Sequence, residues 1–279
     1  MPLQVIPDYR NLDLTGEARA AAERMEARSL APASEAMFRE LVVPLLSPAP
    51  RTVLEVGCGT AALSRRLARA LPGARIVAAD KSEGMLAAAR RLVDAEGVGN
   101  VTLCAWDALD AAAFPAEIDR FELIVSSVVV PYLDDAQTGE LVRALAARLV
   151  PGGTLVFIEQ DLRTDSVNYP SYDLWRRVYA KDKWKLKPTL ALGLRPLLRA
   201  AGLELLPRRS FLWTDEAYGP YAQELLGRFA DSACEHGRIT PAEREEWKAT
   251  LRALHEQGDF YYGLVYHSIA GRRGAAGDR

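Results

Sequence analysis

The stretch VLEVGCGTA, residues 53–61, joins a short apolar run to a helical pattern that follows it. The apolar run predicts a buried strand. The two glycines let the chain turn tightly and let backbone N–H groups approach a ligand. The next strand pattern ends in an acidic residue, Asp80, where a carboxylate can accept hydrogen bonds from both hydroxyls of a ribose. Together these features predict a Rossmann-like site for a cofactor that contains a ribose.

Strand patterns and helical patterns alternate on both sides of this stretch. The strand patterns cover residues 52–56, 75–80, 101–107, 121–127 and 154–161, and a helix is predicted at about 136–149. Such alternation predicts right-handed crossovers and parallel strands covered by helices. The aromatic run 260–271 is expected to return antiparallel. The predicted fold class is α/β, a Rossmann-like, doubly wound, seven-stranded and mostly parallel sheet with an antiparallel last strand, N-terminal helices and helical lid insertions.

The same patterns divide the chain into segments. Residues 1–50 are predicted to form a helical cap, and residues 51–271 the main domain. Helical insertions are expected at about 165–200 and 214–258, and the end of the chain, 272–279, is predicted to be a flexible tail. Within the second insertion, TPAE (residues 240–243) is a capping box with proline at the first helical position, which predicts a helix start.

Composition excludes several classes of function. The 279 residues are 49% apolar and carry a formal net charge of -2, so neither nucleic acid nor an anionic membrane is indicated. Cys58, Cys104 and Cys234 form no C-x-x-C pair, so no zinc site or disulfide framework is expected. The N-terminus lacks a signal-peptide pattern, and no apolar run approaches the ~20 residues that span a bilayer. We expect a cytoplasmic monomer or homodimer that binds a small molecule, no nucleic acid and no membrane.

The glycine loop alone does not identify the cofactor, because residues 57–62 also satisfy the dinucleotide pattern G-x-G-x-x-A. Two other features favour S-adenosylmethionine over NAD. The carboxylate of Glu55 would repel a pyrophosphate but suits the positively charged amino group of the methionine portion. Asp107 directly follows Trp106, so a carboxylate can take the adenine amino group while the indole packs on the base.

On these motifs the chain resembles the class I S-adenosylmethionine-dependent methyltransferases, from about Arg51 to Gly271. The matching stretches are VLEVGCGTA, the acids in VAAD (Asp80) and CAWDAL (Asp107), the strand FELIVSSVVVPYLDD and the turn LVPGGTL. Ala61 departs from the third glycine that this family often carries. The resemblance implies S-adenosylmethionine as cofactor, S-adenosylhomocysteine as its product, and no metal.

The resemblance also implies which residues contact the cofactor. Glu55 and the loop would hold the methionine portion, Asp80 the ribose, and Asp107 the adenine edge, with the backbone of Ser126 beside the sulfonium. Arg28 would meet the methionine carboxylate, although an exposed helical arginine is an equal alternative. The full set is Arg28, Glu55, Gly57, Cys58, Gly59, Asp80, Lys81, Met85, Trp106, Asp107, Ala108 and Ser126.

The segment SSVVVPY, residues 126–132, lacks the Asn/Asp-Pro-Pro-Tyr/Phe motif that many nucleic-acid and protein methyltransferases carry after strand four. This segment is similar to the small-molecule group found in quinone and natural-product biosynthesis. We therefore predict methyl transfer to O, N or C of a small organic molecule. Three alternatives stay open: a cyclase promoted by the bound sulfonium without net methyl transfer, an NAD-dependent oxidoreductase, and a non-catalytic module that binds the cofactor.

The candidates for a catalytic base are Tyr132, Tyr9 and Glu159. An aromatic cluster after strand five predicts an apolar substrate pocket, formed by Tyr169, Tyr172, Trp175 and Tyr179. The basic stretch 176–187 could hold an anionic substrate or be a solvated helix face. His, Asp and Glu do not cluster at ligand spacing, so no metal site is predicted.

Overall fold

The computed structural model describes residues 9–110, 114, 119–180 and 190–275. The strands are β1 (Thr52–Val56), β2 (Arg75–Asp80), β3 (Val101–Ala105), β4 (Phe121–Ser127), β5 (Leu149–Val167), β6 (Leu203–Leu205), β7 (Arg209–Asp215) and β8 (Tyr262–Arg273). The helices are α1 (Leu12–Thr15), α2 (Ala18–Leu30), α3 (Pro32–Leu41), α4 (Ala62–Ala70), α5 (Glu83–Glu96), α6 (Asp135–Ala147), α7 (Tyr172–Val178), α8 (Leu190–Ala200), α9 (Pro220–Glu235) and α10 (Pro241–Gln257).

The strands form one sheet in the order β3-β2-β1-β4-β5-β8, and β6 and β7 share the far side of β8. The pairs from β3 to β5 are parallel, and β8 is antiparallel to β5. Two layers of buried apolar side chains cover the two faces of this sheet. The predicted α/β class, the mostly parallel sheet and the antiparallel last strand are confirmed.

Within the described residues the sheet contains eight strands rather than the seven predicted, although they occupy seven positions across it. The seventh position is divided because β6 pairs with residues 271–273 of β8 and β7 pairs with residues 262–268. Pro207 lies between β6 and β7, and a proline has no N–H to donate to a ladder. The last strand continues to Arg273, so Arg272 and Arg273, predicted as the start of the tail, belong to the sheet.

Polar contacts hold the N-terminal helices beside the carboxyl ends of the parallel strands. Asp13 accepts hydrogen bonds from the Ser82 hydroxyl and from the backbone N–H groups of Glu83 and Gly84, at 2.8, 2.9 and 3.1 Å. These groups form the start of α5, where unpaired N–H groups favour an anion. The contact therefore fixes α1, and α2 after it, beside the carboxyl ends of β1 and β2.

The capping box predicted at residues 240–243 is present and begins α10. Both of its bonds form: the Thr240 hydroxyl accepts from the Glu243 N–H, and the Glu243 carboxylate accepts from the Thr240 N–H. Along the chain, α9 and α10 lie between β7 and β8. Of these two helices, α9 provides one side of the candidate site.

Candidate active site

A cleft opens at the carboxyl ends of the parallel strands, the place where ligands bind in open α/β sheets. It holds about 1460 Å³ of empty space, counting the solvent at its mouth. Its wall comprises Tyr9, Arg10, Leu12, Arg24, Met25, Arg28, Val56, Gly57, Asp80, Lys81, Met85, Trp106, Asp107, Ala108, Leu109, Ser127, Val128, Val129, Tyr132, Leu133, Gln160, Leu162, Asp165, Tyr221, Glu224, Leu225, Phe229, Tyr262 and Leu264.

The glycine loop after β1 forms the floor of the cleft at Gly57. This residue has φ of +68°, and a Cβ there would lie 2.3 Å from Cγ2 of Val129, so only glycine fits. The Cys58 N–H donates to the Ala79 carbonyl at 3.0 Å, which fastens the loop to β2. Ala61, where the family often has glycine, also adopts a left-handed conformation with φ of +57°.

Asp80 lies at the end of β2 and faces the cleft. Its carboxylate accepts hydrogen bonds from the Gly59 N–H at 2.8 Å and from the Ser82 N–H at 2.9 Å. Burial raises the pKa of Asp80, and these N–H groups oppose the rise. Each carboxylate oxygen can accept more than one hydrogen bond. The carboxylate is thus held in place with acceptor capacity left for the hydroxyls of a ribose.

The end of β3 supplies a pocket suited to a flat base. The Trp106 indole donates to the Asp110 carbonyl at 2.9 Å and packs edge to face on Phe114, with ring centroids 4.9 Å apart. Lys81 Nζ lies 3.9 Å from a carboxylate oxygen of Asp107. Five residues predicted to contact the adenine portion line the cleft here: Lys81, Met85, Trp106, Asp107 and Ala108.

Glu55, predicted to hold the methionine amino group, does not line the cleft. Its carboxylate turns beneath the loop and accepts hydrogen bonds from the N–H and the hydroxyl of Ser64, the former at 2.8 Å. Ser64 lies in the first turn of α4, whose N–H groups lack helical partners and attract an acidic side chain. Burial raises the pKa of Glu55 to about 7, against the lowering effect of the Ser64 hydrogen bonds.

Three further predictions for the loop and β4 need correction. Cys58 and Gly59 shape the loop but are not part of the cleft wall, which the loop reaches only through Gly57. Ser126, whose backbone was predicted to lie beside the sulfonium, is fully buried and is not part of the cleft wall, which Ser127, Val128 and Val129 form here. The side chains of a strand alternate between faces, and a strand pattern by itself does not say which residue emerges at the edge.

Two of the three candidate bases line the cleft. The rings of Tyr132 and Tyr9 are 5.1 Å apart, and the Tyr9 hydroxyl accepts from Arg24 at 3.3 Å. Burial raises the pKa of Tyr132 well above its usual value. A neutral Tyr132 hydroxyl can orient a ligand, but it is a poor base.

Glu159 does not reach the cleft, contrary to prediction. It is fully buried, and burial raises the pKa of Glu159 well above its usual value, opposed by the N–H groups of Val130 and Val129. Gln160, the next residue on β5, faces the cleft and donates to the Tyr266 hydroxyl at 2.6 Å.

The aromatic cluster predicted as a substrate pocket packs helices together instead. Trp175 is stacked between Tyr172 and Tyr179, with centroids 5.7 and 5.2 Å apart, and Tyr169 stacks on Trp247 of α10 at 4.2 Å. None of these four predicted residues lines the cleft. The rings join α7 to α9 and α10, which gives them a structural role.

The basic stretch is only partly described. Arg177 donates to Asp173 at 2.9 Å and to Glu243 at 2.6 Å, and Arg176 donates to Asp173 at 3.0 Å. These two arginines therefore pair with acidic side chains on the helical surface. Residues 181–187 of the stretch lie outside the described residues.

The wall opposite the cofactor residues was not predicted from sequence. It comes from α9 and β8, and its members are Tyr221, Glu224, Leu225, Phe229, Tyr262 and Leu264. The α9 members follow helical spacing, which marks one face of a helix but not what that face covers. On the N-terminal side, Arg28 lines the cleft, and its contact with the methionine carboxylate stays a prediction. The Nε–H of Arg24 beside it donates to both oxygens of Glu224, at 2.8 and 2.7 Å.

Two kinds of feature are missing from the part of the chain that the structure describes. No group of three or more His, Cys, Asp or Glu side chains there could hold a metal ion. No helix within the same ranges is both long enough and apolar enough to cross a bilayer.

Residues 53–153 match a family model described as a methyltransferase domain. The chain is 32% identical to trans-aconitate 2-methyltransferase of Variovorax paradoxus (strain S110) over 184 residues, which cover 66% of this chain and 63% of the relative. It is 35% identical to demethylmenaquinone methyltransferase of Thermus thermophilus over 135 residues, covering 47% and 58%. The matches thus span less than two thirds of the length of these relatives.

Two solved structures share the fold. The N-methyltransferase NodS from Bradyrhizobium japonicum WM9, in complex with S-adenosylhomocysteine, has a TM-score of 0.51 and 18% identity, covering 88% of this chain and 89% of that one. A geranyl diphosphate methyltransferase in complex with S-adenosylmethionine has a TM-score of 0.51 and 14% identity, covering 86% and 85%. At these identities the similarity concerns the architecture of the chain.

Proposed function

We propose that this chain is a class I S-adenosylmethionine-dependent methyltransferase and that it transfers a methyl group from S-adenosylmethionine to a small organic molecule bound in the cleft. The observation that carries the proposal is the arrangement of Gly57, Asp80 and Asp107 along one wall, at the ends of adjacent strands. That order matches the succession of methionine portion, ribose and adenine in the cofactor.

Each part of the cofactor has a suitable partner in the cleft. Asp80 would accept hydrogen bonds from the ribose hydroxyls. Met85 and Trp106 would flank the adenine ring, and Asp107 would accept a hydrogen bond from the adenine amino group. Gly57 would let the methionine portion approach the backbone. Bound S-adenosylmethionine supplies a methyl group already activated on a sulfonium, so the protein has chiefly to align the acceptor and exclude water.

The acceptor would occupy the other half of the cleft, between α2, β5 and α9. Apolar side chains and tyrosines predominate there, including Tyr132, Tyr221, Leu225, Phe229 and Tyr262. The relatives named above are described as acting on trans-aconitate and demethylmenaquinone, both small molecules. The raised pKa of Tyr132 suits a neutral hydroxyl that orients the acceptor. A general base is then required only if the acceptor holds its proton tightly.

Calorimetric titration tests the cofactor assignment. We expect S-adenosylhomocysteine to bind and NAD to give no heat of binding at the same concentrations. Tight binding of NAD without binding of S-adenosylhomocysteine would contradict the proposal and support an oxidoreductase.

Turnover tests the reaction itself. The protein is incubated with methyl-labelled S-adenosylmethionine and a panel of carboxylic acids, quinols and amines, and label in product is compared with S-adenosylhomocysteine released. We expect one to one stoichiometry for at least one acceptor class. A product formed without release of S-adenosylhomocysteine would support the cyclase alternative, and binding with no product from any panel member would indicate a non-catalytic module.

A further inference from the structure

A change of register in β5 brings Asp165 into the wall of the cleft. Before the change, even-numbered residues of β5 line the cleft, namely Gln160 and Leu162. The pairing of β5 with β8 then shifts between Asp161 and Ser166. Beyond the shift, the odd-numbered Asp165 lines the cleft, and Ser166 is exposed. A β-bulge re-aims side chains in this way, and bulges are common beside active sites.

Tyr262 of β8 lies beside Asp165 on the same face of the sheet. It pairs with Val167, two residues after Asp165, so Tyr262 and Asp165 are diagonal neighbours across the two strands. Tyr262 is fully buried and Asp165 almost fully buried, and both line the cleft. Burial raises the pKa of Tyr262 well above its usual value, and the nearby charge of Asp165 adds to the rise.

The Tyr262 hydroxyl has no hydrogen-bond partner among the residues that the structure describes. A buried polar group without a partner is costly and uncommon, and here it borders a ligand cleft. A tyrosine hydroxyl can both accept and donate, and an ionised carboxylate such as Asp165 accepts several hydrogen bonds. The two groups together therefore suit a ligand group that donates hydrogen bonds.

Charged side chains of α2 and α9 line the same side of the cleft. Arg24 and Glu224 neutralise each other in an ion pair. Arg28 is predicted to meet the methionine carboxylate, and its helix packs on the glycine loop, where a Cβ on Gly59 would lie 2.5 Å from Sδ of Met25. We therefore assign these charges to an ion pair and to the cofactor, and the carboxylate on β5 to the acceptor.

The level of the pair along the sheet separates it from the methionine portion. Ser127, at the end of β4, is level with Ile158 of β5 and therefore with Ser268 of β8. Gly263, next to Tyr262, lies about 17 Å further along β8, at about 3.4 Å per residue. The pair would thus contact the end of the acceptor that is remote from the methyl group, so its role is specificity.

We propose that Asp165 and Tyr262 bind a hydrogen-bond-donating group, an amine or a hydroxyl, at the far end of the acceptor. This inference rests on the proposed function. The acceptor would have an apolar body, covered by Leu225, Phe229 and Leu264, and an N–H or O–H group at one end. A carboxylate in that place would be repelled by Asp165, and an apolar group would leave the Tyr262 hydroxyl unpaired.

The binding of small probes to the protein saturated with S-adenosylhomocysteine tests the inference. Phenethylamine, phenethyl alcohol, phenethyl methyl ether and phenylacetate share an apolar body and differ at the end. We expect the amine or the alcohol to bind about tenfold more tightly than the ether, which cannot donate, and than the carboxylate. A preference for the amine would identify a cationic donor, and equal or tighter binding of the alcohol a neutral one. If neither donor binds more tightly than the ether and the carboxylate, the inference is overturned.

Two variants assign the preference to the pair. Asp165→Asn removes the charge at nearly constant size, and Tyr262→Phe removes only the hydroxyl. The preference for the better donor over the ether should fall by about tenfold in Asp165→Asn and by about threefold in Tyr262→Phe. Ser166→Ala, beside Asp165 but exposed, should leave it intact. An unchanged preference in either variant of the pair would contradict the inference.

The affinity for S-adenosylhomocysteine separates this inference from the proposed function. Because the pair is remote from the cofactor residues, the Kd for S-adenosylhomocysteine should change less than threefold in Asp165→Asn and in Tyr262→Phe. A tenfold loss of affinity would assign the pair to the cofactor site and overturn the inference. Failure of S-adenosylhomocysteine to bind wild-type protein would instead defeat the proposed function.

Thermal unfolding without ligand provides a folding control. Because the Tyr262 hydroxyl has no partner within the described ranges, Tyr262→Phe should unfold at the same temperature as wild type or higher. A lower unfolding temperature would show that the hydroxyl is already paired inside the protein, and the inference would then fail.

Discussion

The carboxylate of Asp80 both accepts hydrogen bonds from the backbone and faces the proposed ligand. Its two carboxylate oxygens hold the Gly59 N–H of the loop and the Ser82 N–H that precedes α5. The same side chain faces the cleft. The carboxylate that holds the loop is therefore also the group proposed to bind the ribose, and the sequence predicted its position from the acid that ends the second strand pattern.

We predict that Asp80→Ala weakens binding of S-adenosylhomocysteine by more than ~1 kcal/mol, because a charged acceptor for the ribose is lost. Calorimetric titration gives the two dissociation constants. Asp94→Ala, which removes an exposed carboxylate on α5, should bind as wild type does. An unchanged dissociation constant for Asp80→Ala would show that the ribose lies elsewhere.

At the scale of elements, the row of rings on α7 illustrates how packing decides the role of an aromatic residue. Trp175 is half-buried between Tyr172 and Tyr179, whereas the Tyr172 side chain is 72% exposed. The row lies between helices and away from the cleft. The sequence showed that the rings were close together along the chain, but not which neighbouring helices would cover them.

We expect Trp175→Ala to lower the free energy of unfolding by about 2 kcal/mol, less than for a fully buried tryptophan because part of the ring is exposed. Tyr172→Ala, at the exposed end of the row, should change it by less than about 0.5 kcal/mol. Denaturant unfolding measures both. Neither variant should change the KM for an acceptor. A raised KM with unchanged stability would show that these rings contact the substrate after all.

At the scale of the whole molecule, buried carboxyl groups make stability depend on pH. The pKa of Glu55 is about 7 in the folded protein against an ordinary value of 4.5. Between these values the folded protein binds more protons at this site than the unfolded chain does. By linkage, the contribution of Glu55 to the free energy of unfolding therefore falls as pH rises from 4.5 to 7.

Glu55→Gln removes this titration while Oε1 can still accept from the Ser64 N–H. We predict that the variant becomes more stable relative to wild type as pH rises from 4.5 to 8, by about 3 kcal/mol in total. Denaturant unfolding at several pH values gives the difference. Glu122→Gln, a partly exposed carboxylate that accepts from the Arg51 N–H at 2.6 Å, provides the comparison. A difference that does not change with pH would contradict the raised pKa of Glu55.

Local patterns in the sequence determined much of this protein. The strands 52–56, 75–80 and 121–127 were predicted with the ends that the structure has, as was the loop that turns at Gly57. Apolar runs, glycines and acids at strand ends act over a few residues, so their effect is visible without the fold. The proposed ribose and adenine residues came from the same local signals.

Only the tertiary structure decided where several side chains point. Glu55 contacts the unpaired N–H groups at the start of α4, and Glu159 is buried inside the protein, although the sequence predicted a strand at both positions. The ion pair between Arg24 of α2 and Glu224 of α9 joins two sides of the cleft, although these residues are 200 positions apart in the chain. Contacts between distant segments depend on the packing of whole elements, and no local pattern encodes that packing.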